Sequence, residues 1–289
     1  MHIKFLFALL FNLIAVLTLF SASKLSAGAN DPRNATQKIS TSIAQAALVA
    51  GMAETACFAM TGVDRKRSQD AAREYMDNFS TVLAGLRDGH EWLGLLPETN
   101  DVTRQKIDAT EDVWRRFKPV VEQIINGDYH SVVVHQLIEQ HSVIEAQSDE
   151  LAEVIVSQYQ SDAMTDALRR GLIAAGKHRI LSQNVITELC LVMFDVGGPE
   201  MKAQLAMHLA EFEAGFIRLS EGAADIPPAP NARVKRNYRT ASLFWEKMNP
   251  VFKDVISGKP VDVASLKKAM KYNKSVLKQL NQAVEGYLQ

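Results

Sequence analysis

The chain has 289 residues, 32 basic and 33 acidic side chains, a formal net charge of −1 and 47% apolar residues. Such a near-neutral balance, with no basic stripe, argues against electrostatic binding of nucleic acid. The apolar content of a chain this long is enough for one or two buried cores.

The chain opens with Lys4 and an apolar run from Phe5 to Phe20, interrupted by Asn12 and Thr18, followed by the small residues Ala27-Gly28-Ala29. This pattern predicts a secretory signal peptide over residues 1–29, with an uncleaved N-terminal anchor as the alternative. Export places the remainder in the periplasm. Loss of Lys4 and Lys24 would leave 30 basic against 33 acidic groups. Beyond the leader, apolar residues recur at helical spacing: Ile39, Ile43, Ala46, Ala47 and Ala50, then Phe79, Val82, Leu83 and Leu86, then Val113, Phe117, Val120, Val121 and Ile124. Breaks are expected at Gly62, from Asp88 through Asp101, and at Asn126-Gly127-Asp128. From His130 to Val196 there is no proline, which predicts one long helix, or two abutting ones, joining two halves. Val132–Val134 and Val154–Val156 lie inside this helical pattern and are not read as strands.

The second half repeats the plan, with breaks at Gly197-Gly198-Pro199, across Pro227, Pro228 and Pro230, and at Ser257-Gly258-Lys259-Pro260. Trp114, Pro119, Ile124, Ile125 and Gly127 align without a gap on Trp245, Pro250, Val255, Ile256 and Gly258. Phe79, Leu83, Leu86 and Gly89 align on Phe212, Phe216, Leu219 and Gly222. Upstream, matching the glycines sets Gly51 to Glu54 opposite Gly176 to Arg179. The expected fold is all-α: two tandem antiparallel four-helix bundles of four helices each, over 30–160 and 161–289, joined by a long helix. The two tryptophans are expected in the cores. In that alignment Cys57 and Cys190 are not equivalent. A single disulfide is conceivable in an oxidising compartment, but each thiol reads more simply as a small buried apolar residue.

Functional signals are sparse. There is no Gly-x-Ser-x-Gly, no His-Glu-x-x-His, no phosphate-cradling glycine loop and no Cys-His pair, so no enzymatic activity and no cofactor are expected. His130, His135, Glu139 and His141 do not share one helical face, and no metal site is expected there. The most specific segment is Ala175-Gly-Lys-His-Arg-Ile-Leu-Ser-Gln-Asn184, at the head of the second half.

That segment resembles the PilJ-type domain, the N-terminal periplasmic domain of type IV pili methyl-accepting chemotaxis proteins, which is related to nitrate/nitrite sensor domains. The family pattern reads Ala-Gly-Arg-Gln-Arg-Met-Leu-Ser-Gln-Arg. Gly176, Arg179, Leu181, Ser182 and Gln183 match it, Lys177 and Ile180 are similar, and His178 and Asn184 depart. The resemblance covers the chain after its leader as two copies, the first degenerate from Glu54 to Phe58. It implies a sensor in which the motif arginine, here Arg179, coordinates a small anion between two copies, and it implies a homodimer. Guanidinium presents a planar fork suited to nitrate or a carboxylate. The candidate ligand-binding residues are Arg179, Gly176 for close approach, Ser182 and Gln183 one turn on, and Lys177 and His178 for local positive potential. Glu54 would repel an anion from the first copy. The plain alternative is a structural arginine paired with Asp195 or Glu188. With no span after the leader, signalling requires a membrane-bound sensor, transporter or pilus-associated partner. The competing function is a helical adaptor that binds no small molecule.

Overall fold

The computed structural model describes residues 32–159 and 164–288; the expected leader lies outside them. The described residues form α-helices joined by turns and loops, with no strand among them: α1 (Pro32–Thr61), α2 (Arg65–Asp88), α3 (Asp101–Ile125), α4 (Ser131–Gln158), α5 (Asp166–Met193), α6 (Gly198–Glu221), α7 (Ala232–Glu246), α8 (Asn249–Ile256) and α9 (Val263–Tyr287). Helices α1 to α4 pack on one another, as do α5, α6, α7 and α9, and the two sets meet where α1 lies along α5.

Local chemistry sets the boundaries. Asn100, Thr165, Asn231 and Asp262 each accept a hydrogen bond from a backbone N–H three residues on and start α3, α5, α7 and α9. Of the two arrangements expected for the join, one long helix or two successive ones, the structure has two: α4 ends at Gln158 with Tyr159 as C-cap, and α5 starts behind the Thr165 cap. The second half has one helix more than expected. Pro119 is accommodated inside α3, whereas the chain breaks at Lys247-Met248 just before Pro250, dividing α7 from α8.

Particular contacts recur at matched positions of the two halves. Phe79 packs on Trp114 at 4.5 Å and Phe212 on Trp245 at 4.6 Å. The indole of Trp114 donates to Ser80 (3.1 Å), and that of Trp245 to Glu213 (3.2 Å). Both tryptophans are buried, as expected of core anchors. Gly89 and Gly222 hold left-handed φ of 84° and 92°, and a side chain on either would strike Pro97 or Pro228.

The turns α1–α2 and α5–α6 hold left-handed residues at matched places, Gly62 and Asp64 (φ 78° and 46°) against Asp195 and Gly197 (φ 57° and 81°), with Gly198 (φ 58°) a further one at the start of α6. These pairs, like Phe79 and Phe212, stand 133 residues apart, and so do Cys57 and Cys190, which form a disulfide. The cysteines are therefore equivalent and bonded to each other, which corrects the expectation of two independent apolar thiols. The glycine-based alignment upstream is corrected with it. At the 133-residue spacing, Gly176 corresponds to Ile43, Arg179 to Ala46, and Glu54 to Thr187.

Helix α1 touches α2, α3, α4 and α5. Its segment Arg33–Thr61 is apolar and long enough to cross a membrane, yet 67% of its most apolar window is buried inside the molecule. A central position among other helices accounts for that composition.

Candidate functional site

The seam between α1 and α5 is narrow because its residues are small. Ala46 and Ala50 of α1, with Ala47 beside them, pack on Ile180 of α5. A Cβ at Gly176 would lie 2.9 Å from Ile43 Cγ2. Into this seam α5 inserts Arg179, which is only 5% exposed. Its Nη2 donates to the Ile43 carbonyl across the seam (2.7 Å), and its Nη1 donates to Asn281 Oδ1 on α9 (3.3 Å). Nε has no partner.

Among the described residues no carboxylate comes within ion-pair distance of this guanidinium. Glu285 and Asp149 act on it only from farther away, and burial draws its pKa down to about 10, so it remains a cation at neutral pH. Arg179 thus does not pair with Asp195 or Glu188.

The other candidate residues distribute around α5. Ser182 is buried, but its hydroxyl donates to the Arg179 carbonyl of its own helix (2.7 Å) and does not join the fork. The Gln183 amide lies against α1; the orientation that satisfies both of its ends has the nitrogen donating to the Ala47 carbonyl (3.1 Å) and the oxygen accepting from the Gly51 N–H (3.2 Å). Lys177 is half exposed and pairs with Glu153 on α4 (2.8 Å). His178 points the other way, into the core between α5 and α6. It stacks on Phe212 at 4.4 Å, and its Nδ1 occupies the space that a Gly215 side chain would need. Burial first, and the Arg218 charge second, pull His178 down to about 3, so it is neutral and adds nothing to a positive potential. The structure brings Arg179 and Gln183 to the seam, lets Gly176 close it, and separates His178 and the Ser182 hydroxyl from it.

A cavity of about 20 Å³ adjoins the seam, lined by Ile43, Gly176, Ile180, Lys177, Asp149 and Glu153. It has room for about one water molecule. Two of its walls are carboxylates, part of a row at Glu145, Asp149 and Glu153 where α4 faces α5. Burial, with Glu145 next, raises Asp149 to about 6.

Further along, Asn184 donates to both Glu145 oxygens (3.0 and 2.9 Å). Glu188 accepts from His208 (2.6 Å) and Gln204 (2.9 Å) of α6. His141 stands 3.3 Å from Glu145. Of the four residues considered for a metal, only His141 enters this polar row, while His135 turns back to the Ser131 carbonyl (2.9 Å). The i, i+4 recurrence of the acids on α4 was the available sign of this row. Nothing in the sequence pointed to Asn281 or to the Ile43 carbonyl as partners of Arg179.

Glu54 is not opposite Arg179. It lies beside Asn273 and Lys274 of α9, and burial raises its carboxyl to about 7, only partly offset by those groups and Gln183.

No family model, curated protein or solved structure matches the chain.

Proposed function

We propose that the chain is an exported, non-enzymatic sensory module of two tandem antiparallel four-helix bundles, 30–160 and 161–289, similar to the PilJ-type domain, and that a small anion such as nitrate or a short carboxylate binds at the α1–α5 seam through Arg179. One observation carries this reading. Arg179 is a permanently charged guanidinium, 5% exposed, with one N–H unpartnered and no carboxylate in ion-pair range among the described residues. Burying an unpaired cation is costly, and a bound anion would offset that cost.

The position of Arg179 supports the same reading. The resemblance implies an anion held between two copies, and here the two copies are halves of one chain whose first helices meet side by side. A single arginine then serves the site, because its counterpart in the first half is Ala46. The Cys57–Cys190 bond supports export to an oxidising compartment. Ligand entry requires the seam to part, so the anion would select an opened arrangement of α1 and α5 and pass that change to a membrane-bound sensor, transporter or pilus-associated partner.

A second reading, the adaptor that binds no small molecule, is favoured by a different observation. Two arms of the fork already hold Ile43 and Asn281, and the adjoining cavity is of water size with acidic walls.

Thermal denaturation with nitrate, nitrite and short carboxylates separates the two. A ligand at a hundredfold its Kd stabilises the native state by about 2.7 kcal/mol, so a rise in Tm is expected from at least one anion. Arg179→Ala should abolish that rise, and Arg179→Lys, which keeps the charge but loses the fork, should weaken it. No rise with any anion would leave the adaptor reading standing.

A further inference from the structure

The three tryptophans divide sharply: Trp114 and Trp245 are 5% and 2% exposed, whereas Trp92 is 88% exposed. Trp92 sits in the single 3₁₀ turn Glu91–Leu93 of the α2–α3 connection. The turn is firmly built. His90 and Leu95 exchange both backbone hydrogen bonds (2.8 and 3.1 Å), and the Leu93 and Gly94 N–H groups donate back to His90 and Glu91. Gly94 closes it in a left-handed conformation (φ 64°), and Leu95 is buried beneath it. The turn therefore presents an indole to the outside at little cost in conformational entropy.

Its place in the fold matters as much. The Leu96 N–H donates to Asn34 Oδ1 in the first turn of α1 (3.0 Å), and Gly94 faces Gln37. The turn thus sits at the end of the molecule where the chain enters α1. Upstream of α1, a short stretch of roughly a dozen residues, with a reach of at most ~40 Å, separates it from the apolar run Phe5 to Phe20. At the same end, Ile217 in the last turns of α6 is 68% exposed.

We propose that the N-terminal apolar run is retained as the uncleaved anchor, the alternative to a cleaved signal peptide, that it tethers the full-length chain to a bilayer, and that Trp92 is a second lipid contact seated at the headgroup level. Tryptophan prefers that zone because its ring is apolar and its N–H is polar. Glu91 beside it favours a zwitterionic surface over an anionic one. This inference is independent of the anion reading, since it concerns the end of the bundle and not the α1–α5 seam.

The test reconstitutes the full-length chain in phosphatidylcholine vesicles, with and without bromine high in the acyl chains, and compares wild type with Trp92→Phe. The wild-type minus variant difference isolates Trp92 emission. Bromolipid is expected to quench about half or more of that difference, as befits a ring at the interface. A difference spectrum that bromolipid leaves unchanged overturns the proposal: if red-shifted, Trp92 faces water, and if blue-shifted, it faces protein such as a second copy. Recovery of the chain from cells as a soluble form lacking residues 1–29 overturns it equally.

Discussion

Arg179 and Glu54 are ionisable side chains on the two central helices, and their burial has opposite consequences. Burial cannot neutralise the guanidinium at pH 7, so its charge must be met by carbonyl, amide or ligand. The carboxyl of Glu54 responds by holding its proton, its pKa rising from 4.5 to about 7. A carboxyl whose folded pKa lies above its unfolded value contributes stability that is fully present below the unfolded pKa and is lost as pH rises through the folded one. Wild type should accordingly lose stability between pH 4.5 and pH 8 through this group. Glu54→Gln, which mimics the protonated form, should match wild type near pH 4.5 and exceed it at pH 8. Urea denaturation at pH 4.5, 6, 7 and 8 reads the gap, and an equal gap at every pH would exclude titration of Glu54 as its source.

At the scale of elements, the ends of α1 and α4 and the loop before α3 are tied by one buried cluster. Lys38 and Glu98 form an ion pair at 2.9 Å with side chains 1% and 0% exposed, and the Tyr159 hydroxyl donates to the same carboxylate (2.5 Å). Burial alone would raise the Glu98 carboxyl, but Tyr159, the Asn100 N–H and Lys38 together hold it below the usual carboxylate range. Lys38→Met would leave that carboxylate buried without its cation and should cost roughly 3–5 kcal/mol in urea denaturation. The double substitution with Glu98→Gln should recover a large part of the loss, since the amide oxygen still accepts from Tyr159 and the backbone while the uncompensated charge is gone. The helices themselves were legible, because Asn100 and Asn231 cap them and Phe79, Trp114, Phe212 and Trp245 mark their buried faces. The Lys38 pair was not, because its partners lie 60 and 121 residues away in sequence and nothing in helical periodicity brings such groups together. The break before Pro250 escaped for a related reason: hydrophobic period runs through it, and only the tertiary arrangement decides whether the chain turns there.

For the whole molecule, the decisive relation was present in the sequence yet read at the wrong spacing. The turns α1–α2 and α5–α6 are too short and too constrained, with left-handed residues at matched places, to absorb an insertion. The spacing that relates Phe79 to Phe212 must therefore persist back along α1 and α5, and it pairs Cys57 with Cys190. That bond joins the two halves through a sequence separation of 133 residues, with both sulfur-bearing residues 0% exposed. Closing so long a loop in the unfolded chain implies, by chain entropy, about 4–5 kcal/mol of stabilisation as an upper figure. Replacing both cysteines with alanine should lower the urea midpoint accordingly, less whatever structure persists in the unfolded chain. The α1–α5 seam would then rest on noncovalent contacts, those of Ile43, Ala46, Ala50, Gly176, Ile180, Arg179 and Gln183 among them. Loss of the covalent tie should therefore also separate the transitions of the two halves, giving denaturation followed at Trp114 and at Trp245 different midpoints where wild type gives one. Coincident midpoints in the alanine double variant would mean that the packed seam, and not the disulfide, makes the two halves unfold as one.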